Sequence, residues 1–325
     1  MSVLITGITG RIGANLAATL VDRGHAVRGL VWPRDPRIDK LNGLDVELVH
    51  GSLTNPRDVL AAVNGAEAVY HLGAAFQGGG PFSETDYFDI NVRGTFNMLE
   101  AARAQDRPPR LVYAGTDAIY EKYVAGGLTE PIREDRTPRR CRGWYALSKS
   151  LGEELCTGYW HSYELSTVVL RFCMVFGAGE ILDFPQFRLS GLKGRSEFTE
   201  TRQSRERLVV LRDEKGRPYK KHVADVRDIV QGCRLAMDAK DVSGRTIQLA
   251  GPAPFSWDEA VPHLSERLGI PYVETRLTGN PTFYEFDLSR ARKLLGFKPE
   301  YDIRRMIDDA LAFRRGGDIG VLPTD

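Results

Sequence analysis

The first thirteen residues constrain the fold of this chain more than any other stretch. An apolar run, Val3 to Ile5, is followed by Gly7, Gly10 and Gly13 and by an apolar periodic segment from Ile12 to Leu20. A strand, a glycine turn and a helix start, in that order, are typical of the phosphate-binding opening of a βαβ unit. Glycine permits a sharp turn and lets a pyrophosphate approach the N–H groups at a helix N-terminus. Spaced glycines also occur in structural turns, but this context favours a dinucleotide site.

Length and charge narrow the class of protein. The chain has 325 residues, which is enough for one large α/β domain with a smaller lobe. Lys and Arg total 44 against 43 Asp and Glu, so we expect neither a nucleic acid nor a membrane partner. No apolar run approaches the roughly 18 residues that a membrane helix needs. Met1 leads directly into the first strand, so no targeting segment is expected and a cytoplasmic location is predicted.

The cysteines do not indicate a disulfide framework or a metal site. Cys141, Cys156, Cys173 and Cys233 are scattered and form no CxxC pair. Such spacing favours reduced, buried thiols in an intracellular protein. We therefore predict no bound metal.

Strand and helix patterns alternate through the first half of the chain. Strands are predicted at residues 24–31, 46–49, 68–72, 110–114 and 166–170, and helices at 55–63, 89–103 and 144–163. This alternation predicts an α/β fold with a Rossmann-like, doubly wound parallel sheet. Ligands of such sheets bind at the carboxyl ends of the strands, which fall here at Gly7, Gly51, Gly73 and Gly115.

The alternation breaks after Gly177, which predicts a second structural unit. We expect a smaller, mainly C-terminal α/β substrate lobe from residues 177–220 and 251–325, with a mobile polar loop at 199–207. Residues 1–176 and about 221–250 would form the dinucleotide-binding domain. Further helices are predicted at 256–268, 288–295 and 302–314.

The end of the second predicted strand bears on the choice of cofactor. An acidic residue normally contacts the adenosine ribose here and selects NAD, but this chain has Val31 and Trp32. Arg34 just beyond is a candidate partner for the 2′-phosphate of NADP. A solvated loop is the alternative, because Asp35 lies among the same residues. The sequence leaves NAD and NADP both open.

A loop at residues 133–142 is rich in arginine. Its arginines are Arg133, Arg136, Arg139, Arg140 and Arg142. One interpretation is an anion clamp for a carboxylate or phosphate of the substrate. The other, which composition favours, is a solvated loop.

Tyr145 and Lys149 are the strongest candidates for acid–base chemistry. They are four residues apart in a predicted helix and so lie on one face. A nearby ammonium favours the phenolate and lowers the pKa of the tyrosine, and Lys149 also suits a ribose contact. Thr116, just past a predicted strand end, would hold the reacting oxygen beside Tyr145. Such Tyr–Lys pairs also arise by chance on helix surfaces.

With these residues in place, the chain resembles an extended short-chain dehydrogenase/reductase, the NAD-dependent epimerase/dehydratase family, over nearly its whole length. The matching pieces are Thr6-Gly-Ile-Thr-Gly-Arg-Ile-Gly13, His71-Leu-Gly-Ala74, Asn91-Val-Arg-Gly-Thr95 with Asn97, Thr116 before Tyr120, Tyr145 with Lys149, His222-Val-Ala-Asp225, and Asp287-Leu-Ser-Arg-Ala291 with Leu295-Gly-Phe-Lys-Pro299. The resemblance implies a Rossmann domain with a smaller C-terminal lobe, and a homodimer formed through the helices of Asn91 and Tyr145.

The resemblance also implies a site. Thr116, Tyr145 and Lys149 would be catalytic, and NAD or NADP would be the cofactor. The dinucleotide would be bound by Gly7, Gly10, Arg11, Ile12, Gly13, Arg34, Ser52, Leu53, Leu72, Gly73, Ala74, Asn91, Ala114, Tyr145, Lys149 and Phe172.

The chain departs from the family pattern where substrates are selected. Gly51-Ser-Leu53 replaces an aspartate that touches adenine in many members. Thr116-Asp117-Ala118 lacks the glutamate that drives elimination in nucleotide-sugar dehydratases, so dehydration is not expected. Met174 and the loop Ile181 to Pro185 lack the asparagines that nucleotide-sugar epimerases carry near the sugar diphosphate.

These features predict an NAD(P)-dependent oxidoreductase that acts on a secondary alcohol or ketone. The substrate would be a small molecule, a carbohydrate such as a sugar, sugar acid or similar polyol. The alternative is a nucleotide-sugar epimerase that retains NAD. A second alternative, from another class, is a non-catalytic nucleotide-sensing protein.

Overall fold

The centre of the molecule is a seven-stranded parallel sheet, as a computed structural model describes it for residues 1–76, 80, 82–192 and 206–324. The strands are β1 (Ser2–Thr6), β2 (Ala26–Val31), β3 (Val46–His50), β4 (Ala68–His71), β5 (Arg110–Thr116), β6 (Thr167–Phe172), β7 (Met174–Phe176), β8 (Leu208–Arg212), β9 (Lys220–Lys221), β10 (Val223–Asp225), β11 (Arg245–Leu249), β12 (Phe255–Ser256) and β13 (Tyr272–Arg276). The α-helices are α1 (Arg11–Asp22), α2 (Pro56–Val63), α3 (Glu84–Tyr87), α4 (Gly94–Arg103), α5 (Gly143–Tyr163), α6 (Val226–Asp238), α7 (Trp257–Leu268), α8 (Ser289–Leu295) and α9 (Ile303–Arg314). Most of the predicted polar loop at 199–207 lies outside the described residues.

The strand order creates a crevice beside β1. The sheet runs β11-β6-β5-β4-β1-β2-β3, so β1 lies between β2 and β4, and the chain progresses outward in opposite directions from it. Such a reversal is the topological switch point where doubly wound sheets bind ligands. Thr6 at the end of β1 pairs with His71 at the end of β4. The predicted Rossmann-like α/β fold is confirmed.

Helices cover both faces of the sheet because each has one apolar face. On one face, Leu16, Ala17 and Leu20 of α1 are buried in a cluster that also holds apolar residues of α6. On the other face, residues of α2, α4 and α5 pack with the reverse sides of the same strands. Two-sided burial explains why the strands read as continuous apolar runs rather than alternating ones.

The helix predicted at 89–103 is longer and irregular. It begins with α3 at Glu84, where Ser83 and Asp86 form a reciprocal capping box. A π-helical turn, Phe88–Arg93, then connects α3 to α4. π-turns inside helices occur frequently at functional sites, and this one contains the predicted site residue Asn91.

The lobe has a core of its own. Aromatic side chains dominate it, with Phe184, Phe187 and Trp257 in mutual edge or tilted contact. Short strand pairs β8–β13 and β9–β12 support it. Residues 284–297, which the sequence groups with the lobe, pack instead in the cluster that covers the sheet.

Two general features complete the description. Within the described ranges, every helix is too short or too polar to cross a membrane. Cys156, Cys173 and Cys233 are buried free thiols, and Cys141 is a half-buried one.

Candidate dinucleotide and active site

The crevice between β1 and β4 is built from close backbone contacts. Gly7 has a φ of +68°, and a Cβ placed on it would lie 2.8 Å from the Cα of Gly73. A Cβ on Gly13 would lie 2.1 Å from the Gly7 carbonyl oxygen. Side chains at Gly7 or Gly13 are therefore excluded by the fold itself. Gly10 is different, because a Cβ there meets only the Gly7 oxygen, at 3.2 Å, and otherwise faces open space.

This open space lies at the start of α1, and it fits a pyrophosphate. The first N–H groups of a helix have no partner within the helix. Gly10 is the N-cap of α1 and supplies no side chain, and the first turn has no acidic residue. The helix start therefore presents N–H groups and a positive dipole end to an anion. The side chain of Arg11 turns away to the carbonyl of Val175, at 3.0 Å, so the predicted contact of Arg11 would come from its backbone.

The loop after β2 places a carboxylate beside the glycine turn. Asp35 accepts a hydrogen bond from the Thr9 hydroxyl at 2.5 Å and is also paired with Arg37. Burial opposes ionisation, but hydrogen bonds from Arg37 and Thr9 lower the pKa of Asp35. The neighbouring Arg34 is exposed and contacts no other residue of the described chain through a hydrogen bond or ion pair. The sequence analysis placed Asp35 in a solvated loop and gave it no cofactor role; its position four residues past the end of β2 was the available signal.

The remaining predicted cofactor residues line the strand ends. Leu53 lies against Gly73, with its Cδ1 3.2 Å from where a Cβ would be. The Ser52 hydroxyl is engaged by Thr54 at 2.8 Å. The others lie at or just beyond the ends of three sheet strands: Leu72 and Ala74 follow β4, Ala114 is in β5, and Phe172 ends β6.

Asn91 connects the crevice to helix α5. Its amide exchanges two hydrogen bonds with the backbone of Ala75, at 2.7 and 3.0 Å, and donates to the Ser148 hydroxyl at 2.9 Å. The side-chain amide of Asn91 is thus occupied by protein groups. It holds the loop after β4 against the helix that carries Tyr145 and Lys149.

A buried histidine extends this connection to β1. His71 contacts the Thr6 hydroxyl at 2.9 Å through Nδ1 and the Thr95 hydroxyl at 3.0 Å through Nε2. Thr95 donates its only hydroxyl proton to the Asn91 carbonyl, so it accepts from His71, and Thr6 donates to Nδ1. Burial, and then the charge of Lys149, lower the pKa of His71 to about 3, which keeps the ring neutral.

Thr116 and Tyr145 come together at the carboxyl end of β5, and Lys149 lies in the same helix as Tyr145. The Thr116 side chain lies close enough to the Tyr145 phenol to lower the pKa of that phenol. Lys149 is buried one turn further along α5, with Nζ 4.2 Å from the centroid of the Tyr113 ring. Burial lowers the pKa of Lys149 to about 8.

The phenol of Tyr145 titrates higher than the sequence suggests. Burial raises its pKa to about 12; the Thr116 side chain lowers it, and Asp117 and Tyr87 raise it further. Lys149 is not among the groups that shift it. The expected pKa near neutrality is therefore not reached in the protein alone, because burial outweighs the favourable contacts.

Aromatic side chains surround the outer side of Tyr145. Its ring lies 5.4 Å from that of Phe76 and 6.4 Å from that of Tyr87. A cavity of about 250 Å³ opens here, lined by Phe82, Glu84, Tyr87, Arg142, Gly143, Trp144 and Tyr145. A second cavity, of about 280 Å³, lies beside the end of α8 and contains no predicted site residue.

Most of the arginine-rich loop serves structure. Arg139 pairs with Glu154 at 2.8 Å, Arg140 with Glu121 at 2.5 Å, and Arg133 with Asp287 at 3.4 Å. These pairs occupy three of the five guanidinium groups. Arg142 alone among the five lines the cavity at Tyr145.

Three buried charges next to Thr116 were not anticipated as a group. Asp117 forms an ion pair with Lys122, and Lys221 lies close enough for both to shift its pKa. These residues come from the end of β5, the following loop and β9. Their separation in the sequence left no local signal of the cluster.

The fold and the crevice together define a Rossmann-type, dinucleotide-dependent protein, and comparison with known proteins gives the family. The sequence profile of the NAD dependent epimerase/dehydratase family matches residues 3–250. This chain belongs to that family, and it is an NAD(P)-dependent enzyme of the extended short-chain dehydrogenase/reductase type. The non-catalytic alternative is thereby set aside.

Individual relatives differ in their activities. A short-chain dehydrogenase/reductase superfamily protein from Agrobacterium tumefaciens, crystallised with bound NAD, is 32% identical, with a TM-score of 0.85 over 97% of this chain and 98% of that one. UDP-glucuronate 4-epimerase 1 of Arabidopsis thaliana is 26% identical over 93% of this chain and 74% of its own length. A 2-alkyl-3-oxoalkanoate reductase of Stenotrophomonas maltophilia is 32% identical over 60% of this chain and 57% of its own length. Similarity to sugar-nucleotide and non-sugar enzymes alike leaves the substrate to be argued from the site.

Proposed function

We propose that this protein is an NAD-dependent oxidoreductase that interconverts a secondary alcohol and a ketone on a carbohydrate, through Thr116, Tyr145 and Lys149. The observation that carries the proposal is the closeness of the Thr116 side chain to the Tyr145 phenol, with Lys149 buried on the same helix. A phenol, a hydroxyl and an ammonium are the groups needed to hold an alcohol oxygen and to move its proton.

The chemistry divides into a hydride and a proton. Bound NAD⁺ supplies the hydride acceptor, so alcohol and NAD⁺ give ketone, NADH and one proton. Tyr145, as the phenolate, accepts the hydroxyl proton while the Thr116 hydroxyl hydrogen-bonds to the same oxygen. Lys149, one turn further along the same helix, would hold the ribose of the cofactor through its ammonium group. The aromatic rings of Phe76 and Tyr87 contact the outer side of the phenol and would orient its ring.

We infer a preference for NAD over NADP from Asp35. An ionised carboxylate next to the glycine turn repels a 2′-phosphate and accepts hydrogen bonds from ribose hydroxyls. Bound NAD in the Agrobacterium relative supports this choice. Arg34, proposed above as a phosphate partner, is then a surface residue.

We propose a homodimer that uses the outer face of α4 and α5. Large apolar side chains are exposed along this face: Phe96, Trp144, Leu147 and Leu151. An exposed apolar stripe on two adjacent helices is the surface that a second copy would cover. Sedimentation of the purified protein should give a dimer, and Leu147→Glu with Leu151→Glu should give a monomer; a monomeric parent contradicts the proposal.

The test of the proposed function begins with the cofactor. Nucleotides released from the purified protein are identified by mass spectrometry, and binding of added NAD is measured by calorimetry. Alcohol substrates should then cause reduced nicotinamide to accumulate in solution. Thr116→Val should lower turnover with little effect on NAD affinity, whereas Lys149→Met should lower both. A protein that binds no nicotinamide dinucleotide would refute the proposal.

The same measurements distinguish the epimerase alternative. An epimerase returns the hydride to the substrate, so it retains NAD tightly and releases no NADH. Stoichiometric NAD after purification, together with epimer formation and no bulk NADH, would favour that reaction at the same three residues.

A further inference from the structure

Asp117, Lys122 and Lys221 form a buried cluster in which positive charge exceeds negative. Their exposed fractions are 8%, 6% and 1%. Lys122 donates to the Asp117 carboxylate, while Lys221 has only the Gln186 side-chain oxygen, at 3.4 Å, as a hydrogen-bond acceptor among the described residues. One carboxylate is therefore shared by two ammonium groups. Each ammonium otherwise lies near aromatic rings, Phe184 for Lys221 and Tyr123 and Tyr284 for Lys122.

The cluster lies beside the predicted catalytic residues. Asp117 directly follows Thr116 and is close enough to raise the pKa of Tyr145. Lys122 and Asp117 both act on the pKa of Lys221, which burial lowers to about 8. Lys221 also lies against the Phe184 ring of the lobe core, so the cluster lies between the strand end that carries Thr116 and the lobe.

A neighbouring tyrosine is also without a partner. The Tyr284 hydroxyl is buried and makes no hydrogen bond with any described residue; Tyr123 comes near it but not in hydrogen-bond geometry. The ring of Tyr284 has its centroid 5.1 Å from Lys122 Nζ. Buried hydroxyls are normally hydrogen-bonded, so an unpaired one beside two ammonium groups that share one carboxylate points to a missing acceptor.

A structural ion pair in the same protein shows the contrast. Arg171 and Glu153 are equally buried, but Arg171 makes three hydrogen bonds to the Glu153 carboxylate and one to the Tyr120 hydroxyl. Its charge and donors are satisfied by the protein. An ammonium buried without such partners is costly, and a bound anion would lower that cost.

We propose that Lys122 and Lys221, assisted by Tyr284, bind a carboxylate of the substrate next to the reacting carbon, so that the substrate is a sugar acid and not a neutral sugar. This inference rests on the proposed function. The single excess positive charge matches one carboxylate, whose two oxygens accept hydrogen bonds from two ammonium groups.

The test uses matched acids and neutral sugars with the full-length enzyme and NAD. The acids are glucuronate, galacturonate and gluconate, and their neutral counterparts are glucose, galactose and sorbitol. Initial rates of NADH formation are measured for the parent, Lys221→Met, Lys122→Met and the control Lys220→Met. Lys220 neighbours Lys221 in β9 but pairs with Glu285 at 2.9 Å, away from the cluster.

Turnover should occur with at least one acid and should be absent or much slower with its neutral counterpart. Lys221→Met and Lys122→Met should each raise KM for the acid about ten- to a hundredfold, the worth of a charge-assisted hydrogen bond. NAD affinity should be unchanged in both, and Lys220→Met should behave as the parent.

Three results would overturn the carboxylate site and leave the dinucleotide enzyme in place. The first is equal turnover of acids and neutral sugars, and the second is no turnover of any acid by an enzyme that binds NAD. The third is a KM that is unchanged in both variants. Failure of the parent to bind NAD would instead refute the proposed function.

Discussion

The dinucleotide side and the substrate side of Tyr145 are formed by different parts of the polypeptide, the one by backbone and the other by side chains. On the dinucleotide side the crevice consists of backbone, with Gly7 and Gly73 in contact and the first N–H groups of α1 open to an anion. On the substrate side it consists of charged side chains, Asp117, Lys122 and Lys221, brought together from separate segments. A common cofactor needs the same backbone geometry in every relative, whereas a particular substrate needs particular side chains. The difference teaches that family membership predicts the structure of the dinucleotide side, whereas the substrate side depends on side chains that are particular to this chain.

The largest expected effect lies at the boundary of the two sides. Tyr145→Phe removes one oxygen and little volume, so turnover should fall about 10²–10⁴-fold, the usual worth of a positioned acid or base. Affinity for NAD and for the substrate acid should change little, since both sides remain intact. Steady-state kinetics and calorimetry provide the check, and Tyr87→Phe, a ring 6.4 Å away, is the control. Full turnover by Tyr145→Phe would exclude the mechanism.

The next effect should be confined to the dinucleotide side. Gly10→Val places a branched side chain in the open space at the start of α1, where the backbone φ of −77° tolerates it. NAD affinity should fall at least a hundredfold, because the phosphate path is obstructed, while the fold survives. Calorimetric titration measures this against Gly158→Ala, an α5 glycine whose Cβ meets nothing within 4 Å. Parental affinity in Gly10→Val would contradict the cofactor assignment.

A smaller effect should be confined to the substrate side and appear as pH-dependent stability. Burial lowers the pKa of Lys221 from 10.5 to about 8. Between these pH values the unfolded chain binds a proton that the folded protein has lost, so this residue makes stability rise with pH. Relative to the parent, Lys221→Met should therefore gain most below pH 8, by up to about 3 kcal/mol, and lose this gain by about pH 10.5.

Urea unfolding of both proteins at a series of pH values tests this. Comparing the two proteins removes the contributions of other buried groups, which titrate in both. Lys220→Met is again the matched control. A difference between parent and Lys221→Met that stays constant across the window would show that Lys221 carries no uncompensated charge.

The smallest effect concerns selectivity within the dinucleotide side. Asp35→Asn removes the charge that repels a 2′-phosphate, so the ratio of NADP to NAD affinity should rise about tenfold, a fraction of a full charge-assisted interaction. Arg34→Ala should leave the ratio unchanged. Titration of both variants with NAD and NADP shows whether Asp35 or Arg34 sets the ratio of affinities. A ratio that changes only in Arg34→Ala would identify Arg34 as the selecting residue.

Local patterns were sufficient where one short segment makes the structure. The turn from β1 into α1, the helix of Tyr145 and Lys149, and most sheet strands follow from apolar runs, glycine spacing and periodicity. The helix start at Glu84 was missed although Ser83 to Asp86 is a capping-box pattern, because the apolar periodicity begins only later. Asp35 was treated as a loop residue because its partner Thr9 lies in another segment.

The sequence by itself determined the parallel sheet, the glycine crevice and the family, because backbone turns and helix faces depend on neighbours a few residues apart. Only the tertiary structure decided which residues surround the candidate catalytic residues and the glycine crevice. It assigned Asn91 and His71 to a buried hydrogen-bonded connection, paired most of the arginine-rich loop with carboxylates, and raised the pKa of Tyr145. It also brought Lys221 to Lys122 across about a hundred residues of chain. Burial and charge pairing depend on which distant segments come into contact, and the local spacing of residues does not predict those contacts.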